Sequence, residues 1–142
     1  MLRVQNLLGV KGREVWSIEA DAPVLSAIQI MADKHVGALP VVRGDELVGI
    51  ISERDYARKV VLLGRSSAET AVWEIMTSPV VTVSLDKTVH DCMHMVTERR
   101  IRHLPVVEKN RLVGIVSIGD LVRAVIEEQQ QTIDHLEKFI TG

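Results

Sequence analysis

Leu39-Pro40-Val41-Val42-Arg43-Gly44-Asp45-Glu46-Leu47-Val48-Gly49-Ile50-Ile51-Ser52-Glu53-Arg54-Asp55 is the stretch on which the fold turns. Sixty-five residues later it returns as Leu104-Pro105-Val106-Val107-Glu108-Lys109-Asn110-Arg111-Leu112-Val113-Gly114-Ile115-Val116-Ser117-Ile118-Gly119-Asp120. Over Gly37–Val60 and Arg102–Val125, 12 of 24 positions are identical. The chain is therefore an internal duplication, and its fold must be a unit that can be built twice.

Working outward, each copy opens on an apolar run, Val15-Trp16-Ser17-Ile18 or Val80-Val81-Thr82-Val83, which predicts a strand. A helix follows. Val24, Ala27, Ile28 and Met31 in the first copy, and Val89, Cys92, Met93 and Val96 in the second, are spaced to form one buried stripe. Asp21 and Asp86 suit the helix N-termini, and Pro23 suits a first turn. The quoted stretch then reads as a β-hairpin with a turn of about four residues, running into a second helix from Ser52 or Ser117. The expected fold class is α/β (α+β), two β-α-β-β-α repeats. The first repeat covers 4–64, a linker 65–71, the second repeat 72–128 and a C-terminal helical extension 129–142. Val72–Met76 predicts a short helix entering the second copy. A unit of about 60 residues buries too little surface to stand comfortably alone, so the two copies are expected to support one another. Along the extension Ile126, Ile133, Leu136 and Ile140 form a narrow apolar seam, which predicts a dimer or partner contact.

Composition narrows the function classes. The 142 residues are 46% hydrophobic, enough for a core, but no apolar run is long enough to span a bilayer. No secretory signal is read in Met1–Val10, and the lone cysteine, Cys92, suits a reducing compartment, so cytoplasm is the expected location. A net charge of −2 and only four aromatics argue against a nucleic-acid or membrane partner. His90 and His94, four apart, lack a third ligand, so no metal site is expected. Cys92 and Trp16 are expected in the core.

The chemistry concentrates in Gly49-Ile50-Ile51-Ser52-Glu53-Arg54-Asp55 and its echo, Gly114-Ile115-Val116-Ser117-Ile118-Gly119-Asp120. Glycine late in a strand permits close approach of a backbone or ligand. The serine opens a helix whose N–H groups and dipole attract phosphate. The aspartate one turn on can accept hydrogen bonds from both vicinal hydroxyls of a ribose. The plain alternative is a capping box, which stabilises the helix without any ligand.

This duplication, with its L-P-V-V, short turn and L-V-G-I-x-S-x-x-D, resembles the CBS (cystathionine β-synthase) domain pair over roughly Val4 to Glu128, and in detail the small stand-alone pairs of bacteria and organelles. The resemblance implies two domains packed with pseudo-two-fold symmetry, and two clefts that hold AMP, ADP, ATP or an NAD-type nucleotide, S-adenosylmethionine being the less expected ligand. Each cleft would be built crosswise. Cleft A would join Ser52, Arg54 and Asp55 to Val81, Thr82, Val83, Arg102 and His103; cleft B would join Ser117 and Asp120 to Trp16, Ser17, Ile18, Val36, Gly37 and Ala38. Arg99, Arg100 and Arg102 direct the more highly charged ligand to cleft A, although Arg99 and Arg100 also read as cations completing a helix end. The implied function is a regulatory adenine-nucleotide sensor, homodimeric, acting on an unknown partner protein, with no catalytic residue. The alternatives are a structural dimerisation module with empty clefts, or a nucleotide hydrolase with His103 as its one candidate base.

Overall fold

The computed structural model describes residues 1–141. The elements in chain order are α1 (Val4–Lys11), β1 (Ile18–Glu19), α2 (Val24–Lys34), β2 (Ala38–Arg43), β3 (Glu46–Ser52), α3 (Glu53–Tyr56), α4 (Val72–Ile75), α5 (Val89–Arg99), β4 (His103–Glu108), β5 (Arg111–Ser117) and α6 (Ile118–Thr141). α3 continues through a π-turn, Ala57–Val61. The class is the expected α/β duplication. Gly142, the last residue of the expected extension, lies outside the described residues.

Two compact units divide the chain. The first-repeat unit comprises Glu14–Val81 with Lys109–Leu112; the second-repeat unit comprises Met1–Arg13, Thr82–Glu108 and the chain from Val113. These boundaries are not those of the repeats in sequence. α1, inside the 4–64 segment, belongs to the second-repeat unit, and α4, inside the 72–128 segment, belongs to the first. The reason is burial. The backbone of α1 and of Leu2, two residues before it, bonds to the second repeat, Val4 N–H to the Lys87 carbonyl and Val89 N–H to the Leu2 carbonyl, both at 2.9 Å. Leu8 then packs on Gly114, where an added Cβ would sit 2.8 Å from its Cδ1. α4 does the same in the first unit, with Val72 N–H bonded to the Ala22 carbonyl at 2.9 Å and Met76 packed on Gly49. The motif glycines are thus approached closely by the chain's own side chains.

In the first-repeat unit β1, β2 and β3 form one sheet in that order, β1 parallel to β2 and β3 antiparallel to it, with Ile18 opposite Val41 and Leu39 opposite Ile51. Ile18, Val24, Ala27, Met31, Leu39, Val41, Ile51 and Val60 fill its core, together with Val72 and Ile75 from α4. The second-repeat unit has the β4–β5 pair, and its counterpart of β1 shrinks to one parallel bridge, Val83 to Val106. Leu8, Val89, Cys92, Val96, Leu104, Val106, Val116 and Leu121 are its buried centre.

Several local expectations are corrected. The opening strands are shorter than Val15–Ile18 and Val80–Val83 predicted. The hairpin turns are two residues, not about four. Gly44 takes φ +61° in the first, and Lys109 and Asn110 take +50° and +64° in the second, the mirror-image geometry that suits twisted strands. Asp21 and Asp86 do not cap. Pro23 and Thr88 occupy the N-cap positions, and the Thr88 hydroxyl accepts the Asp91 N–H at 3.1 Å. Asp21 instead meets Arg43 at 3.1 Å, and Asp86 accepts from the Ser84 hydroxyl. Both stripe helices end alike, on left-handed His35 and Arg100, whose N–H groups close onto the Met31 and Val96 carbonyls.

Candidate functional site

Each repeat builds its motif by one local device. Ser52 ends β3 and caps α3; its N–H and hydroxyl donate to Asp55 Oδ2 at 3.0 Å each, and the Asp55 N–H donates to the Ser52 hydroxyl at 3.2 Å. Ser117 and Asp120 repeat the pattern, the Ser117 N–H reaching Asp120 Oδ2 at 2.9 Å and the Asp120 N–H reaching the serine hydroxyl at 3.2 Å. The capping box is therefore present in both copies. The next N–H is satisfied by the matching carbonyl in each unit, Glu53 by Gly37 at 3.1 Å and Ile118 by Arg102 at 2.9 Å. The residues just before each L-P-V-V thus lie beside the serine-aspartate motif of their own copy, with Ala38 in register with Ser52.

Beyond the box the two sites diverge. In the first-repeat unit Asp55 is 8% exposed and both oxygens are engaged. Oδ1 takes Lys59, one turn on, at 3.0 Å and the Thr77 hydroxyl at 3.4 Å, while the Lys59 ammonium also donates to the Ile75 carbonyl at 2.9 Å. Arg54 is exposed. In the second-repeat unit the Asp120 side chain is about as buried, 13% exposed against 11% for Asp55, and its cation comes from a distant segment: Lys11 of α1 reaches Oδ2 at 2.5 Å and the Ile115 carbonyl at 2.9 Å. Arg123 stands 3.7 Å from Oδ1. Beside this cluster, between α1 and α6, opens a cleft of about 670 Å³ lined by Met1, Leu7, Lys11, Asp120, Arg123 and Glu127, among others.

Electrostatics follow from this setting. Burial pushes the Asp120 carboxyl up, but hydrogen bonds from Lys11 and the Ser117 N–H outweigh it and hold it below the usual aspartate value. His103 is pushed below the usual histidine value by burial first and by the charges of Lys11 and Arg102 next. Arg102 and His103 therefore belong to the electrostatic neighbourhood of Asp120 within one unit.

The remaining expected residues are placed plainly. Thr82, Val83, Arg102 and His103 lie in the second-repeat unit with Ser117 and Asp120; Trp16, Ser17, Ile18, Val36, Gly37, Ala38 and Val81 lie in the first with Ser52, Arg54 and Asp55. Trp16 is not the core residue expected. It is 39% exposed, with the Lys34 ammonium 4.3 Å from its ring centroid. Cys92 is buried, and burial raises its thiol. His90 and His94 are exposed, and among the described residues no group of three or more metal-binding side chains converges. Sequence reading missed Lys59, Thr77 and Lys11. Lys59 was legible as a charge one turn after Asp55, whereas Lys11 lies 109 positions from its partner and left no local signal.

A twice-built β-α-β-β-α unit, with a serine-aspartate cap at the start of each second helix, defines a tandem α/β repeat class of protein. The chain belongs to the CBS domain family, which matches it at residues 10–62 and 72–127. It is 42% identical over 136 residues to the CBS domain-containing protein CBSX3, mitochondrial, of Arabidopsis thaliana, covering 92% of this chain and 66% of that protein, a little under two thirds of its length. Among solved structures it is similar to the CBS domain protein NE2398, with a TM-score of 0.85 and 46% identity over 89% of this chain and 99% of the other. It is also similar to the CBS domain pair of MJ0100, solved with 5′-methylthioadenosine and S-adenosyl-L-methionine, with a TM-score of 0.80 and 26% identity over 90% and 98% of the two chains. No helix among the described residues is long and apolar enough to cross a membrane.

Proposed function

We propose that the chain is a regulatory module that binds an adenine nucleotide at the Asp120 site and reports the binding to a partner protein. The observation that carries this reading is the cleft beside Asp120, where a carboxylate able to take a ribose diol stands with Lys11 and Arg123. Two cations suit the phosphates of AMP, ADP, ATP or an NAD-type ligand. The similar pair of MJ0100, solved with 5′-methylthioadenosine and S-adenosyl-L-methionine, supports an adenosyl ligand for this chain and keeps S-adenosylmethionine in the test. Asp55, whose oxygens are held by Lys59, Thr77 and Ser52, is the candidate site of the first-repeat unit.

Signalling would run through Lys11. A nucleotide that takes over Asp120 with its ribose releases the ammonium to phosphate, so the ligand discriminates between two settings of α1, and only such a difference can shift an equilibrium. The module itself is read as non-catalytic, self-associating and cytoplasmic; the buried lone thiol suits a reducing compartment.

Isothermal titration with AMP, ATP, NADH and S-adenosylmethionine tests the reading. Saturable binding of a phosphorylated ligand, weakened at least tenfold by Lys11→Met, is expected. No binding of any of the four, or sustained hydrolysis of ATP with magnesium, would overturn it.

A further inference from the structure

α6 is longer than its unit requires. Its first turns bury Leu121 and Ala124, but Val122, Ile126, Ile133, Leu136, Phe139 and Ile140 stay between 41 and 84% exposed. Val122, Ile126, Ile133, Leu136 and Ile140 share one stripe at 3-4 spacing, with Gln129 the polar position within it. On the helix circumference that stripe points away from Leu121 and Ala124 and lies nearly opposite Asp120, Ala124 and Glu127, which face the cleft. The seam therefore serves neither the core nor the candidate ligand site.

We infer that this seam pairs antiparallel with α6 of a second copy. The inference rests on the self-association reading above and specifies its surface. A closed dimer demands reciprocal contacts, residue i on j and j on i. A two-fold axis near Gln131 meets that demand along the whole stripe. Val122 faces Ile140, Ile126 faces Leu136 and Gln129 faces Ile133, over about 27 Å of helix. The flanking positions are complementary: Arg123 falls beside Glu137 of the other copy, opposite in charge, and apolar Val125 beside apolar Phe139. A parallel pair would instead set Val125 beside Gln130 and Thr132 beside Glu137, with no opposite charges in contact. Gln129 sets the register at some expense of affinity, as a lone polar position in such a seam does.

Sedimentation equilibrium of the full chain tests the pairing. A wild-type dimer is expected, weakened at least tenfold by Ile133→Asp and tightened by Gln129→Leu. Glu137→Arg should weaken it, and Arg123→Glu combined with Glu137→Arg should restore it. In a Cys92→Ala background, which leaves the alanine already present at the matching position 27, Gln130→Cys should cross-link to itself and Ile140→Cys should not. A dimer of unchanged strength in Ile133→Asp overturns the seam while leaving self-association standing. Cross-linking through Ile140→Cys alone overturns the antiparallel arrangement. A monomeric wild-type chain overturns both the seam and the self-association reading.

Discussion

Asp55 and Asp120 stand at the same place in two copies of one motif and are about equally buried, yet their cations come from different parts of the chain. The capping box is common to both, so the box cannot be what separates them. The difference lies in who supplies the cation. Asp55 takes Lys59 from its own helix and Thr77 from the segment after α4, and both oxygens are spoken for. The position matching Lys59 in the second copy is Ala124, and Asp120 draws Lys11 from α1 instead, leaving a cleft alongside. Duplication thus produces two equal frames, and where the first carries Lys59 the second carries Ala124 and takes its cation from α1.

The comparison can be broken or sharpened by substitution. The largest effect is expected from Leu8→Ala, which empties the contact over Gly114 and should cost about 3 kcal/mol in urea denaturation. A loss under 1 kcal/mol would mean α1 is not an integral part of the second-repeat unit. Asp55→Ala should follow at about 2–3 kcal/mol, since it strands the Ser52 N–H and Lys59 beside a buried site. Asp120→Ala, measured without ligand, should cost about 2 kcal/mol, since it strands the Ser117 N–H and Lys11 in the same way. A loss under 1 kcal/mol for either aspartate would mean that its lysine adds nothing to the capping box.

The smallest effect is in pH. Asp120 and His103 both titrate lower when folded, so both bind fewer protons in the native state, and stability falls as pH falls. The histidine part is present above its ordinary value of 6.5 and fades as pH drops through the lowered folded value. The aspartate part is present above the ordinary 3.8 and is lost below it. His103→Gln should flatten the stability profile just below neutrality and leave the acid limb in place; an unchanged profile would contradict the assigned surroundings of His103.

Much of this was legible in the sequence because the signals are local and repeated. Hydrophobic spacing identified the stripe helices, and L-P-V-V with L-V-G-I identified the hairpins, since period-two and period-3.6 patterns need only neighbouring residues. Turn length was misread because Arg43 and Glu46 extend their strands, and their polarity hid the pairing. Asp21 and Asp86 were read as caps from residue type alone, while the backbone placed Pro23 and Thr88 at the cap and gave those carboxylates other donors. Lys11 was out of reach for a different reason. Nothing near Met1–Lys11 indicates that α1 is buried against the second copy and not the first, because that choice is made by packing over Gly114.

Thermal denaturation with saturating AMP or ATP, run on the wild type, Asp55→Ala and Asp120→Ala, addresses the difference between the two sites most directly. A ligand at 100-fold over its Kd stabilises by about 2.7 kcal/mol. Both variants should start from a lower Tm; Asp55→Ala should keep that upward shift, while Asp120→Ala should lose it. Retention of the shift in Asp120→Ala with its loss in Asp55→Ala would contradict the account.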